Sequence, residues 1–300
     1  MKKEEMILKT QDGYELSLNV FESNKPKANI MFIHGMEEYK ERYDAFASFL
    51  QENGYNVITS DLRGHGKNAP ILSHIADKKG EELIIQDQKL IRSYMEERFP
   101  NLPNYLFGHS MGTIISRVLL QDSSQMFEKV ALSGYVNPNG AAMVAVLLGK
   151  ITKLFKGKKG HSKLLTTLAV GQFNKAIENP RTSLDWLSYN EENVDKYIAD
   201  SLCGVEFSVA SYLVLFKLLN KMGKAKKYHN VNKDMLCLLI AGHDDPCTGF
   251  DKGRANSKAL MEKAGFKNIG VITYDNMRHE ILNENNKKKV YQDLLDFFNE

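Results

Sequence analysis

Cysteine is scarce in this chain, long apolar runs are missing and net charge is small. Each shortage removes a class of function. The three cysteines, Cys203, Cys237 and Cys247, are odd in number and lack metal-ligand spacing. Neither a disulfide framework nor a cysteine-based metal centre is therefore expected, and the thiols read as reduced. No run approaches the roughly 18 apolar residues of a membrane span. The first residues, "MKKEEMILKTQDGYELSL", have no apolar stretch of the secretory type, so the cytoplasm is the expected location. A net charge of +3 gives no reason to expect a nucleic-acid partner. Internal repeats are also missing. What is present is a 300-residue chain with 43% hydrophobic and 26% charged residues, enough to bury a sizeable core.

The pattern of that chain is strand, helix, strand. "MILKTQDGYELSLNVFE" alternates on either side of Asp12-Gly13, a hairpin signal. "ANIMFIHG", "YNVITSDLRGHG", "YLFG" and "KVALSG" are short apolar runs of strand length, separated by the helical patterns "RYDAFASFLQENG" and "EELIIQDQKLIRSYMEERF" and by a helix after Ser110. Such alternation predicts an α/β fold, a mostly parallel sheet covered by helices on both faces. The rhythm stops near Val136. It resumes with "DMLCLLIAG", the helix "KGRANSKALMEKAG", the strand "IGVITYD" and a terminal helix. The expected organisation is a core of residues 1–136 and 231–300, interrupted by a helical cap or lid at 137–230.

Within this frame "NYLFGHSMGTII" puts Ser110 between Gly108 and Gly112, where a strand becomes a helix. Gly-x-Ser-x-Gly in that setting is a nucleophile elbow: the turn is so tight that its neighbours must be small, and the serine hydroxyl stands clear of the sheet. Amides at the start of the following helix face developing negative charge. A serine needs a base, and the base an orienting carboxylate, in the order serine, acid, histidine. After the insertion only His229, His243 and His279 remain. His279, in "YDNMRHEILNE" beyond the last strand, is the one whose loop can return to the serine. "LLIAGHDDPC" offers Asp244 and Asp245, and spacing alone leaves both open. For the oxyanion hole the candidates are the backbone N–H of Met111, after the nucleophile, and that of Met36, in the loop after "IMFIHG". His34 and His65 read as packing and hydrogen-bonding residues.

Five segments in this order, "HGMEEYKERY", "DLRGHGKN", "FGHSMGT", "AGHDDPC" and "NMRHEILNE", resemble the monoacylglycerol lipase and lysophospholipase branch of the α/β-hydrolases, also labelled serine aminopeptidase-like. "KYIADSLCGVEFSV" resembles part of that branch's insertion. The resemblance runs from about residue 5 to the C-terminus. It implies an α/β-hydrolase fold with Ser110 as nucleophile, His279 as base and Asp245, the aspartate before proline, as acid. It also implies oxyanion donors at Met36 and Met111. Two positions depart from the branch: Asn68 replaces a serine in "GHGKN", and Tyr39 replaces a histidine.

The implied activity is hydrolysis of a single-acyl lipid ester through an acyl-enzyme, with no metal and no cofactor. A short-chain carboxylesterase, thioesterase or aminopeptidase stands as the alternative, and a non-catalytic ligand-binding protein of the same fold behind it. The insertion is basic, with 14 Lys plus Arg against 7 Asp plus Glu, a surplus of +7 that leaves −4 on the remainder. Its apolar "AAMVAVLLG" lies directly before Lys150, Lys153, Lys156, Lys158 and Lys159. That juxtaposition suits contact with an anionic membrane surface. An acidic pocket for a substrate amine is not expected from so basic a lid.

Overall fold

The computed structural model describes residues 3–138 and 140–300. Met1, Lys2 and Asn139, within the N-terminal stretch and the start of the insertion, lie outside the described residues. The hairpin forms as its pattern predicts: β1 (Lys3–Lys9) pairs antiparallel with β2 (Glu15–Phe21), Leu8 opposite Leu16. The other strands are β3 (Ala28–Ile33), β4 (Tyr55–Ser60), β5 (Asn104–His109), β6 (Lys129–Ser133), β7 (Leu236–Gly242) and β8 (Asn268–Tyr274). They form one eight-stranded sheet in the order β1-β2-β4-β3-β5-β6-β7-β8. From β4 to β8 every pairing is parallel, and β2 joins β4 antiparallel.

Successive side chains of a strand point to opposite faces, and the core divides accordingly. Met31 and Ile33 of β3, Leu106 of β5 and Leu239 of β7 enter one apolar cluster; Ile30, Phe32, Phe107 and Ile240 enter another. The first cluster is covered by α2 (Gly80–Arg98) and α3 (Met111–Ser123), the second by α1 (Asp44–Glu52) and the C-terminal α9 (Lys287–Asn299). Both faces are dry, which is why the central strands read as unbroken apolar runs.

Between β6 and β7 there is no strand among the described residues. The segment holds α4 (Ala142–Lys156), α5 (Lys163–Ala169), α6 (Glu191–Ala199) and α7 (Val209–Met222), with short 3-10 turns; α8 (Phe250–Ala264) follows β7. α7 packs on α2 and α3. Its Tyr212, Val214, Leu215, Phe216 and Leu218 belong to the same apolar cluster as Ile114 and Ile115 of α3. Through α7 the insertion shares the core of the sheet, while Trp186, Leu187, Tyr197 and Cys203 form a smaller apolar cluster with Cys247.

α4 packs on α7 in an unusual way. Small residues, Ala142, Ala145 and Gly149, are buried, and a Cβ at Gly149 would lie 2.8 Å from Leu213. Large apolar residues point outward: Leu154 is 83% and Phe155 84% exposed, with Met143, Val144, Leu147 and Ile151 beside them.

Candidate active site

The parallel strands end together, and the loops leaving β3, β5, β7 and β8 converge at that edge. The turn after β5 holds Ser110 at φ 52° and ψ −120°, a conformation sparsely populated by any residue but glycine. The two glycines around it are required by space. A Cβ at Gly108 would lie 2.5 Å from Ser116 Oγ, and one at Gly112 would run into the carbonyl oxygen of Ile33. Helix α3 can start this close to β3 only without a side chain there. The serine amide donates to Ser133 O at 3.0 Å and its carbonyl accepts from Thr113 Oγ1 at 2.7 Å, which pins the turn.

His279 and Asp245 arrive from the loops after β8 and β7. Both are buried, and His279 Nδ1 bonds Asp245 Oδ2 at 2.9 Å. The other carboxylate oxygen accepts from Cys247 N–H at 2.8 Å. With Nδ1–H donated to Asp245, the Nε2 of His279 is left to accept. Burial works against protonating His279, but the charge and hydrogen bond of Asp245, with Glu280 and Glu38 nearby, raise it above its ordinary value. Asp244, the other aspartate of the pair, turns outward to His243 Nδ1 and Tyr189 OH, both at 2.9 Å. His229 is exposed elsewhere, with its amide on Gln121 O.

His279 is wedged. Its ring lies 4.8 Å from His109 and 4.9 Å from Trp186. Burial and the charge of His279 push His109 down to about 3, so it stays neutral. His34 is structural, bonding Gly35 O through Nδ1 and accepting from Leu62 N–H through Nε2. His65 packs edge-on against it at 5.1 Å. Asn68 is exposed, and Tyr39 OH donates to Asp200 at 2.6 Å, tying the β3 loop to the insertion.

An ion-pair network invisible in the sequence joins the two loops. Glu38 accepts from Gly35 N–H at 2.6 Å and from Tyr43 OH at 2.7 Å. Arg42 donates to Glu38 and forks onto both oxygens of Glu280, each contact 2.7 Å. Burial disfavours a charged Glu280, but Arg42 and Asn193 outweigh it and hold the carboxyl well below its usual range. Since Glu280 follows His279, this bidentate pair fixes the histidine loop against the Met36 loop. The amides of Met36 and Met111 have no hydrogen-bond partner among the described residues.

Two cavities meet at Ser110. One, of about 280 Å³, is mostly apolar and is lined by Met111, Ile114, Leu168, Leu215, Phe216 and Leu219 among others. The second, of about 70 Å³, is also mostly apolar, with Trp186, Leu187 and Phe173 in its wall, but is lined as well by Glu37, Glu38, Tyr197, His279 and Glu280. Met36, Ser110, Val170 and Phe173 line both. Asp245, Cys247 and His279 have potential ligand atoms within 4.8 Å of one another. Both oxygens of Asp245 are already engaged, and burial pushes the Cys247 thiol well up.

This edge of a mostly parallel sheet, with a serine on a strained turn and an aspartate-bound histidine, defines the α/β-hydrolase fold. Residues 24–286 match the family described as Serine aminopeptidase, S33, and the chain belongs to that family. It is 26% identical over 214 residues to the monoglyceride lipase of Rattus norvegicus, a match covering 68% of this chain and 61% of the rat protein. The chain therefore spans about three fifths of that relative's length. It is 25% identical over 279 residues to phospholipase YtpA of Bacillus subtilis, covering 91% of this chain and 95% of that one. In structure it superposes on a thermostable carboxyl esterase from Bacillus coagulans, solved with glycerol, with a TM-score of 0.91 at 22% identity, covering 100% and 98% of the two chains. No helix among the described residues is long and apolar enough to cross a membrane.

Proposed function

We propose that this chain is a serine ester hydrolase acting on single-acyl lipid esters, monoacylglycerols or lysophospholipids. The observation that carries this is the meeting of a larger, mostly apolar cavity and a smaller one at Ser110, beside an aspartate-bound histidine. The larger one suits an acyl chain, and the smaller one, lined by Glu38, Tyr197 and Glu280 among others, a leaving alcohol. Ser110 Oγ attacks the ester carbonyl while His279 Nε2 takes its proton. The oxyanion is held by the Met36 and Met111 amides. His279 then protonates the leaving alcohol, and water repeats the sequence on the acyl-enzyme. Asp245 orients His279 and stabilises its charged form. Gly108 and Gly112 keep the serine turn tight.

Residues 137–230 act in this reading as a lid. The outward apolar face of α4, next to Lys150, Lys153 and Lys156, meets an anionic lipid surface from which substrate enters. The three buried, unpaired thiols suit a reducing compartment, the cytoplasm.

The test is kcat/KM across p-nitrophenyl esters from acetate upward, followed by monoacylglycerols and lysophospholipids. Values should rise to about C8–C12, by roughly tenfold per two carbons at full burial, since each buried CH₂ contributes roughly 0.8 kcal/mol. A flat or falling profile would leave a short-chain esterase; no turnover of any ester would remove the hydrolase reading.

A further inference from the structure

The sheet has two edges, β1 and β8, and they are finished differently. An open strand edge presents N–H and C=O groups on which another strand can add, and charged side chains are the usual guard. β1 carries that guard: Lys3, Glu4, Glu5 and Lys9 are all exposed. β8 has neither charge nor proline between Asn268 and Tyr274, although Gly270, Val271 and Thr273 are exposed, Val271 to 43%. Its backbone fixes which groups are free. Tyr274 O accepts from His243 N–H at 2.8 Å, so the main-chain groups of Tyr274 face β7. Those of successive residues in a strand point to opposite sides. The groups of Asn268, Gly270 and Ile272 therefore also face β7, and those of Ile269, Val271 and Thr273 face outward. No loop or turn hydrogen bond reaches these three among the described residues. Lys267 and Asp275 flank the strand, one at each end. Both are exposed, and no ion pair among the described residues involves either.

We propose that β8 docks a second copy of this chain, strand against strand, antiparallel and centred on Val271. In that register Val271 meets its own copy and Ile269 meets Thr273, each pair exchanging both backbone bonds as a hydrogen-bonded antiparallel pair does. Lys267 of each protomer then stands opposite Asp275 of its partner, so both ends carry an opposite-charge pair. Moving the centre to Gly270 or Ile272 still matches the outward groups, but it sets Lys267 against Thr273 or Met277. Charge thus selects Val271 as the centre. The contact is isologous, the form that closes as a dimer. Antiparallel pairing also sends the carboxyl ends of the two sets of parallel strands to opposite edges of the joined sheet. The two Ser110 sites therefore open away from each other, and neither is covered. The inference does not depend on the ester-hydrolase reading.

The experiment is sedimentation equilibrium of the full chain from about 1 µM to about 100 µM, a range that resolves micromolar association. Wild type should be dimeric over the upper part of that range. Val271→Lys sets a charge against its own copy at the centre and should leave a monomer. Lys267→Asp and Asp275→Lys each create a like-charge contact at both ends and should weaken the dimer by roughly tenfold. The double swap, Lys267→Asp with Asp275→Lys, should restore it. That restoration decides the matter if Val271→Lys folds poorly, because general loss of structure cannot produce it. A wild type monomeric throughout would overturn the proposal and leave the edge to a different partner. A dimer that survives Val271→Lys would place the interface elsewhere, and one indifferent to the charge reversals would place it in another register. Either result would overturn the proposal as well.

Discussion

The sheet edge and the helical segment between β6 and β7 contribute to the site in opposite ways. Ser110, Asp245 and His279 come from loops at strand ends, held by backbone geometry, buried hydrogen bonds and the Glu38–Arg42–Glu280 group. The helical segment supplies the walls: Leu168, Phe173, Leu215, Phe216 and Trp186. The lesson is a division of labour. On the proposed reading, chemistry sits where parallel strands cannot move relative to one another, and selectivity sits on helices whose surface can change without disturbing the sheet.

The largest effect that sharpens this contrast is loss of the nucleophile. Ser110→Ala should lower kcat on the order of 10⁶-fold for every ester, whatever its chain or head group. Full-rate fluorophosphonate labelling of that variant would dissociate Ser110 from the chemistry.

Next is the acid. Asp245→Asn should cost on the order of 10⁴ in kcat, while Asp244→Asn, at the outward-turned neighbour, should leave it near normal. The pH profile gives a second handle. Neutral His279 is the form that accepts a proton, and Asp245 raises the pH at which that form appears. Wild-type kcat/KM should therefore fall as pH drops through a value above the usual 6.5 of histidine. In Asp245→Asn the residual activity should persist to lower pH, because the raising charge is gone. An unshifted acid limb would break the link between the two residues.

Effects on the helical side should be smaller and selective. Leu219→Trp, which fills the apolar cavity, should cut decanoate turnover by roughly tenfold and spare acetate. Equal losses on both would mean that this cavity does not hold the acyl chain.

The smallest effect in stability is also the most telling about α4. Leu154→Glu with Phe155→Glu replaces side chains that are 83% and 84% exposed, so thermal unfolding should move by no more than about 0.5 kcal/mol. Co-sedimentation with anionic vesicles should nevertheless be lost. It should also weaken with salt, and when Lys150, Lys153, Lys156, Lys158 and Lys159 become glutamine, since exposed charges are screened beyond about 10 Å at 0.1 M. Unchanged vesicle binding in both variants would leave α4 without a lipid role. By contrast Tyr212→Ala on α7, fully buried in the shared core, should cost about 3–5 kcal/mol.

How much of this was legible beforehand depended on how local the signal is. The strands, the hairpin at Asp12-Gly13 and the elbow at Ser110 are written in neighbouring residues, because apolar period and glycine spacing act over a few positions. His279 could be singled out by its place after the last strand. Spacing alone could not separate Asp244 from Asp245, since adjacent residues differ only in which way the turn after β7 aims them. Glu38, Arg42 and Glu280 carry no local mark; their partnership spans 238 positions and exists only once two loops meet. Trp186 likewise gains its meaning from His279, against which the fold packs it.

The order of elements, the tight serine turn and the basic, apolar insertion follow from backbone sterics and composition alone. The tertiary structure alone brings Arg42 between Glu38 and Glu280, so that a closed ion-pair group braces the His279 loop. It likewise decided that α7 belongs to the central core, and that α4 buries its small residues and exposes its large ones. Net charge and hydrophobicity are sums over a segment, whereas a cavity wall or a packed helix face depends on which few side chains the fold turns inward.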